Sequence, residues 1–367
     1  MRMLQDLVLI CLLAVACSQA QDTEAGKASA APKLEFSNPR AVEDLGVAPM
    51  IVGRLDCSDD GSIYTLINGY ALNRDRLALL AIHVDGTVTS FPWRSAPGFA
   101  DISMPKSIFV GNGRVYVLVN AERKSAKQAH GSSYPLVLAF DKEGSLVATV
   151  VLEHDLNPLV LGVFPSGNIL LVSEDRLNHG MALNLVGAEG TPIRELRLNA
   201  SDFVMRAAQM PAAVRGTSNY SPTLLISMSK FFPSGDHLLL VPLETSGLPI
   251  VELSEREVLH SVIPHLPDNM VLEAFLPSND ALSWKVRLAT ILENDKEMMD
   301  SQGKVLGVAT RPSARIAELS RTDGRLLQEI DIGGDGIQPA CETNGTFRFL
   351  TSGAGQGHLQ VVTAQVR

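Results

Sequence analysis

Three carboxylates and three cations interrupt otherwise apolar runs of this 367-residue chain. Arg54 and Asp56 stand in VGRLDC, Lys106 and Ser107 in MPKSIFV, Lys230 in MSKFF, Glu273 in VLEAF and Glu342 in ACETN. Carboxylates such as Asp56, Glu273 and Glu342, if gathered, could hold a hard cation; calcium takes six or more oxygen ligands. The set is mixed in sign, and few Asn or Asp stand at matching places. A solvated lining is therefore the expected role, with no cofactor expected and calcium the one metal to test.

Other chemistry finds little support. The histidines His83, His130, His154, His179, His237, His260, His265 and His358 are scattered. Only His260 and His265 are close, at a spacing that fits neither strand alternation nor a helical zinc pair. No G-x-S-x-G elbow, P-loop, H-E-x-x-H or C-x-x-C occurs. The string GAGQG, Gly353 to Gly357, lacks the strand and helix a nucleotide site needs. A net charge of −9 argues against nucleic acid, whose phosphates call for a basic surface.

What could position the seven polar residues is a repeat. The phrase VFPSGNILLV, Val163 to Val172, returns as FFPSGDHLLLV, Phe231 to Val241. Related phrases are CSDDGSIYTL, FVGNGRVYVLV, FLPSNDALSW and CETNGTFRFL, so the anchors are Gly61, Gly113, Gly167, Gly235, Asn279 and Gly345. Gly and Asn tolerate the left-handed backbone of a tight hairpin. Downstream of most anchors comes a second turn, Asp85-Gly86, Glu143-Gly144, Glu189-Gly190 or Asp323-Gly324; residues 248–263 are a weaker copy without the Gly. Two hairpins make four strands per unit of about fifty residues.

Six such units predict an all-β chain, a six-bladed β-propeller. The last unit is one strand short, and KLEF, Lys33 to Phe36, has no partner in the first; lending it to the last blade would close the ring and hide an open edge. DGSIYTL and FDKEGSLV resemble six-bladed propeller repeats of the NHL and TolB-like type, over residues from about 46 to the end. The resemblance implies an exported bacterial protein and a fold that hosts enzymes, scaffolds and receptors alike. Propeller lactonases, by the same resemblance, would hold calcium at the channel that the innermost strands line. The seven residues above lie on those strands.

The domain plan is a signal over 1–20, or a lipoprotein signal over 1–16, then a tether and closing strand over 21–45, then the propeller over 46–367. Arg2 and the run Leu7 to Ala16 read as an export signal, too short to span a bilayer. SQA, Ser18 to Ala20, suits signal peptidase, whereas LAVAC, Leu13 to Cys17, resembles a lipobox that would lipidate Cys17. Either makes the mature chain extracytoplasmic: secreted, periplasmic, or anchored through Cys17, with no transmembrane span. Cys57 and Cys341 both stand four residues before an anchor. Equivalent positions in a ring point the same way around it, so two free buried thiols are expected rather than a disulfide.

Insertions lengthen three units, at Ser201 to Pro222, Glu293 to Val305 and Glu122 to Pro135. Loops on a rigid scaffold commonly carry binding. The expected function is a non-catalytic binding or scaffold propeller presenting loops to a protein, peptide or glycan. The alternative is a metal-dependent hydrolase or lyase of the lactonase or strictosidine-synthase type, centred on the channel.

Overall fold

The computed structural model describes residues 32–42, 50–68, 77–124, 133–175, 180–198, 229–243, 247–268, 270–278, 280–291, 298–299, 305–307, 310–332, 337–352 and 359–367. Every regular element among them is a strand. Within the compact unit Lys33–Arg367 the strands form six antiparallel blades.

Blade one runs outward through Met50–Cys57, Ile63–Asn68, Leu77–Ile82 and Val88–Phe91. Blade two is Ser107–Gly111, Arg114–Arg123, Ser133–Phe140 and Leu146–Val151, and blade three is Pro158–Val163, Ile169–Asp175, Gly180–Val186 and Pro192–Leu196. Blade four is Ser229–Ser234, His237–Pro242, Ile250–Leu253 and Val258–Val262. Blade five is Met270–Leu276, Ser283–Ile291, Thr310–Ser320 and Leu326–Asp331. Blade six is Ile337–Thr343, Thr346–Ser352 and Leu359–Val366, with Leu34–Phe36 antiparallel to the last of these in the outermost place.

The strand pattern follows from each blade being sandwiched between two others. Middle strands bury both faces and read as continuous apolar runs. In SYPLVLAF, Val137 and Ala139 pack toward blade three while Leu136, Leu138 and Phe140 pack toward blade one. Burying a Leu or Phe side chain contributes about 1.5–3 kcal/mol, and clusters of this kind fill every junction around the ring. Outermost strands are less buried: in Pro192–Leu196 every residue but Leu196 is exposed, and polar residues suffice there.

The second turn has a contact of its own. Gly144 has φ 86°, and a Cβ there would lie 2.4 Å from the Ser90 carbonyl oxygen on blade one's outermost strand. The same approach recurs between Gly86 and Ala41, Gly190 and Val151, and Gly324 and Ile263. Each such turn therefore butts against the rim of the preceding blade.

One expectation fails. Cys57 and Cys341 form a disulfide, Cα–Cα 5.7 Å, joining the innermost strands of blades one and six. The error lies in taking an equal offset from the anchor glycine as an equal place in the strand. Blade six turns through two residues, Asn344 and Gly345 (φ 52° and 77°), between paired Thr343 and Thr346. Blade one has a longer turn, in which Ser58 N–H donates to Ser62 O at 3.1 Å. Four residues before the glycine is thus next to the closing residue in blade one but two before it in blade six. Successive side chains alternate faces, so one thiol points forward around the ring and the other back. Phe109, with blade six's kind of turn, and Val163, with blade one's, likewise meet in one apolar cluster.

The insertion Ser201 to Pro222, the anchor Asn279, most of Glu293 to Val305 and the centre of Glu122 to Pro135 lie outside the described residues, as do residues 1–31. Within the second insertion, Met298–Met299 pairs with Val305–Gly307 at its end.

Candidate functional site

Bulges in the innermost strands shape the axis. Glu273 is an extra residue between the pairs Leu272–Leu288 and Ala274–Arg287, and Ala340 is extra between Pro339–Phe349 and Cys341–Arg348. Blade three has a similar shift at Leu159, and blade one a wider one between Val52 and Asp56. A bulge bends its strand and re-aims its side chain, which is why Glu273 leaves the alternation of its neighbours.

Across this axis Lys230 Nζ meets Asp56 Oδ2 at 2.5 Å, blade four to blade one, three places apart in the ring. The pair is nearly out of solvent, with side-chain exposures of 11% and 7%. Lys230 Nζ also stands 5.7 Å from the Phe232 ring centroid. On either side of Lys230 lies a cavity. One, of about 310 Å³, is bounded by Leu55, Lys230, Phe232, Glu273, Phe275 and Arg287, with Gln338 to Ala340 of blade six. The other, of about 260 Å³, includes Asp56, Tyr64, Lys106, Ser107, Ser229 and Lys230.

The polar residues picked from the sequence separate into groups. Asp56 and Lys230 form the axial pair. Glu273 Oε2 faces Arg287 Nε at 3.3 Å. Lys106 Nζ reaches Asn157 Oδ1 and the Pro158 carbonyl at 3.5 and 3.4 Å. Ser107 Oγ accepts from Leu161 N–H at 3.2 Å, stitching blade two to blade three. Glu342 lines neither cavity: it is buried between blades five and six, 3.4 Å from Lys285 Nζ. The Arg54 side chain lies outside the described residues. Each of the three carboxylates thus has its own cation. Among the described residues no three of His, Cys, Asp and Glu come together as a metal site.

The histidines lie in other places. His83 is held between Ser62 Oγ and Thr89 Oγ1 at 2.9 Å each, and His237 lies 3.2 Å from Glu252. His260 and His265 are exposed, while His130, His179 and His358 lie outside the described residues. Sequence reasoning missed Arg287, 4% exposed. The available signal was SWKVRL, where Lys285 and Arg287 alternate with Trp284, Val286 and Leu288 on a strand otherwise built for the core.

No family model matches the chain, and no curated protein matches it. A solved member of the DUF4221 family from Bacteroides vulgatus is 6% identical, with 92% of this chain and 99% of that one covered at a TM-score of 0.48. The Swd1 β-propeller domain of Myceliophteria thermophila is 12% identical, with 90% and 99% covered at 0.37. YCF48, solved bound to D1 peptide, is 13% identical, with 92% and 98% covered at 0.39. The likeness is one of fold. This chain is a six-bladed β-propeller.

Proposed function

We propose that this propeller is an exported binding protein rather than a catalyst, offering its loops to a protein, peptide or glycan. The observation that carries this reading is the pairing along the axis. Asp56 is joined to Lys230, Glu273 to Arg287, and Lys106 to carbonyl oxygens of blade three. General acid–base catalysis needs a group within hydrogen-bond reach of the proton it moves, with a pKa near the working pH. Carboxylates held against cations by geometry of this kind serve as fasteners. The disulfide supports export, since disulfides persist in oxidising compartments.

The test is a hydrolysis panel of lactones, esters and phosphoesters on the purified mature chain, with calcium and with chelator. No turnover in either condition, and an unchanged melting temperature, is the expected outcome. Turnover that chelator abolishes would instead make the channel a metal-dependent hydrolase site.

A further inference from the structure

We propose that the larger axial cavity, between blades four, five and six, is a binding site for a small uncharged molecule with an apolar body. Its volume of about 310 Å³ sits at the lower end of ligand pockets, enough for a single ring and a short side chain. Protein interiors are close-packed, with few voids larger than a water molecule, so a space of this size has to be held open. Two bulges do so: Glu273 and Ala340, each the extra residue of its innermost strand, both line the cavity. A bulge bends its strand out of the regular ladder, and bulges gather beside functional sites.

The walls decide the chemistry of the occupant. Apolar side chains make up most of them: Leu55 from blade one, Phe232 from blade four, Phe275 from blade five, and Pro339 and Ala340 from blade six. The Phe232 and Phe275 rings lie with centroids 4.7 Å apart. The charged groups are already matched. Lys230 is joined to Asp56 and Arg287 to Glu273, and each of the four has further interactions. The wall therefore offers no spare charge of either sign. An entering ion would shed its hydration and find a counter-charge only by parting a buried pair. An uncharged molecule meets neither cost, gains apolar burial and leaves both pairs intact. Gln338, also on the wall, offers its amide to a hydroxyl or carbonyl.

This site rests on the binding reading above but can fail separately from it. The probes are benzyl alcohol and its charged counterparts benzoate and benzylamine at neutral pH, with binding to the purified protein read by saturation-transfer NMR and calorimetry. Benzyl alcohol is expected to bind at least ten-fold more tightly than either ion. Ala274→Leu and Ala340→Leu fill the chamber from blades five and six without touching a charge. Each should abolish binding, with the melting temperature showing that the fold is kept; where one of them does not fold, the other carries the test. No binding of benzyl alcohol, an ion that binds as tightly, or binding that survives either replacement in a folded protein would overturn the site. Benzyl alcohol recovered chemically altered would support the site while overturning the non-catalytic reading.

Discussion

Asp56 and Lys230 meet at 2.5 Å across the propeller axis, from blades that share no junction. Innermost strands of opposite blades ordinarily feel each other only through the ring, so this contact braces the channel directly. Breaking a buried pair leaves one charge uncompensated, which costs about 3–5 kcal/mol. Lys230→Met and Asp56→Asn should each lose an amount of that order in urea unfolding. Asp56→Leu combined with Lys230→Met should recover most of it, because the desolvation penalty disappears with both charges. Single variants within 0.5 kcal/mol of the parent would mean that the pair is solvated.

The disulfide makes a second prediction. Cys57 and Cys341 are 284 residues apart in sequence, so their bond constrains nearly the whole unfolded chain. Removing such a bond costs about 2–5 kcal/mol. Cys57→Ser and Cys341→Ser should destabilise alike, and the double variant should cost no more than either one. A chain beginning at Gln21, whose only cysteines are Cys57 and Cys341, should show no reactive thiol when denatured and unreduced. Two reactive thiols would mean that the blades do not meet as described.

How far the sequence reached is clearest at these two cysteines. The hairpin turns were legible because a glycine with positive φ is a local demand, met within four residues and repeated at Gly61, Gly113, Gly167, Gly235 and Gly345. The blade count followed. The facing of Cys57 and Cys341 was not legible, since it depends on a turn one residue longer in blade one than in blade six, and that difference reverses a face. The axial partners were hidden for a similar reason. Asp56 and Lys230 were picked out as polar residues on inner strands, but only the closed ring shows that they touch. Glu273 and Ala340 look like ordinary strand residues until the register of the neighbouring strand exposes the bulge.

Acid should weaken the first hairpin in a defined way. Partial burial works against the charged form of Asp60, yet the Ser58 hydroxyl, the Ser62 N–H and nearby Lys142 hold its carboxyl well below the usual carboxylate range. A depressed folded-state pKa adds stability that is fully present above the unfolded value, about 3.9, and is lost as pH falls through the folded value. The melting-temperature gap between the parent and Asp60→Asn should therefore be constant from pH 7 to about 5 and shrink in stronger acid. A gap unchanged down to pH 2 would show that Asp60 acts through shape and not charge. Since the side chain is 48% exposed, the gap should be small and should narrow with salt.

Gly144 offers the sharpest separation of two effects that glycine usually combines. Its φ of 86° alone disfavours a side chain, and the left-handed penalty for an L-residue is roughly 1–2 kcal/mol. Gly235, at φ 60°, carries that penalty too, but a Cβ there would meet nothing within 4 Å. At Gly144 the added carbon would stand 2.4 Å from the Ser90 oxygen, and this is backbone that cannot swing aside like a side chain tip. Forcing blades one and two apart adds an overpacking cost of about 1–3 kcal/mol. Gly235→Ala should thus lose about 1 kcal/mol and Gly144→Ala two to three times as much, by urea unfolding. Equal losses would mean that the rim contact gives way freely. In that case its recurrence at Gly86, Gly190 and Gly324 would reflect turn conformation alone, and the spacing of the blades would be set by the apolar clusters between them.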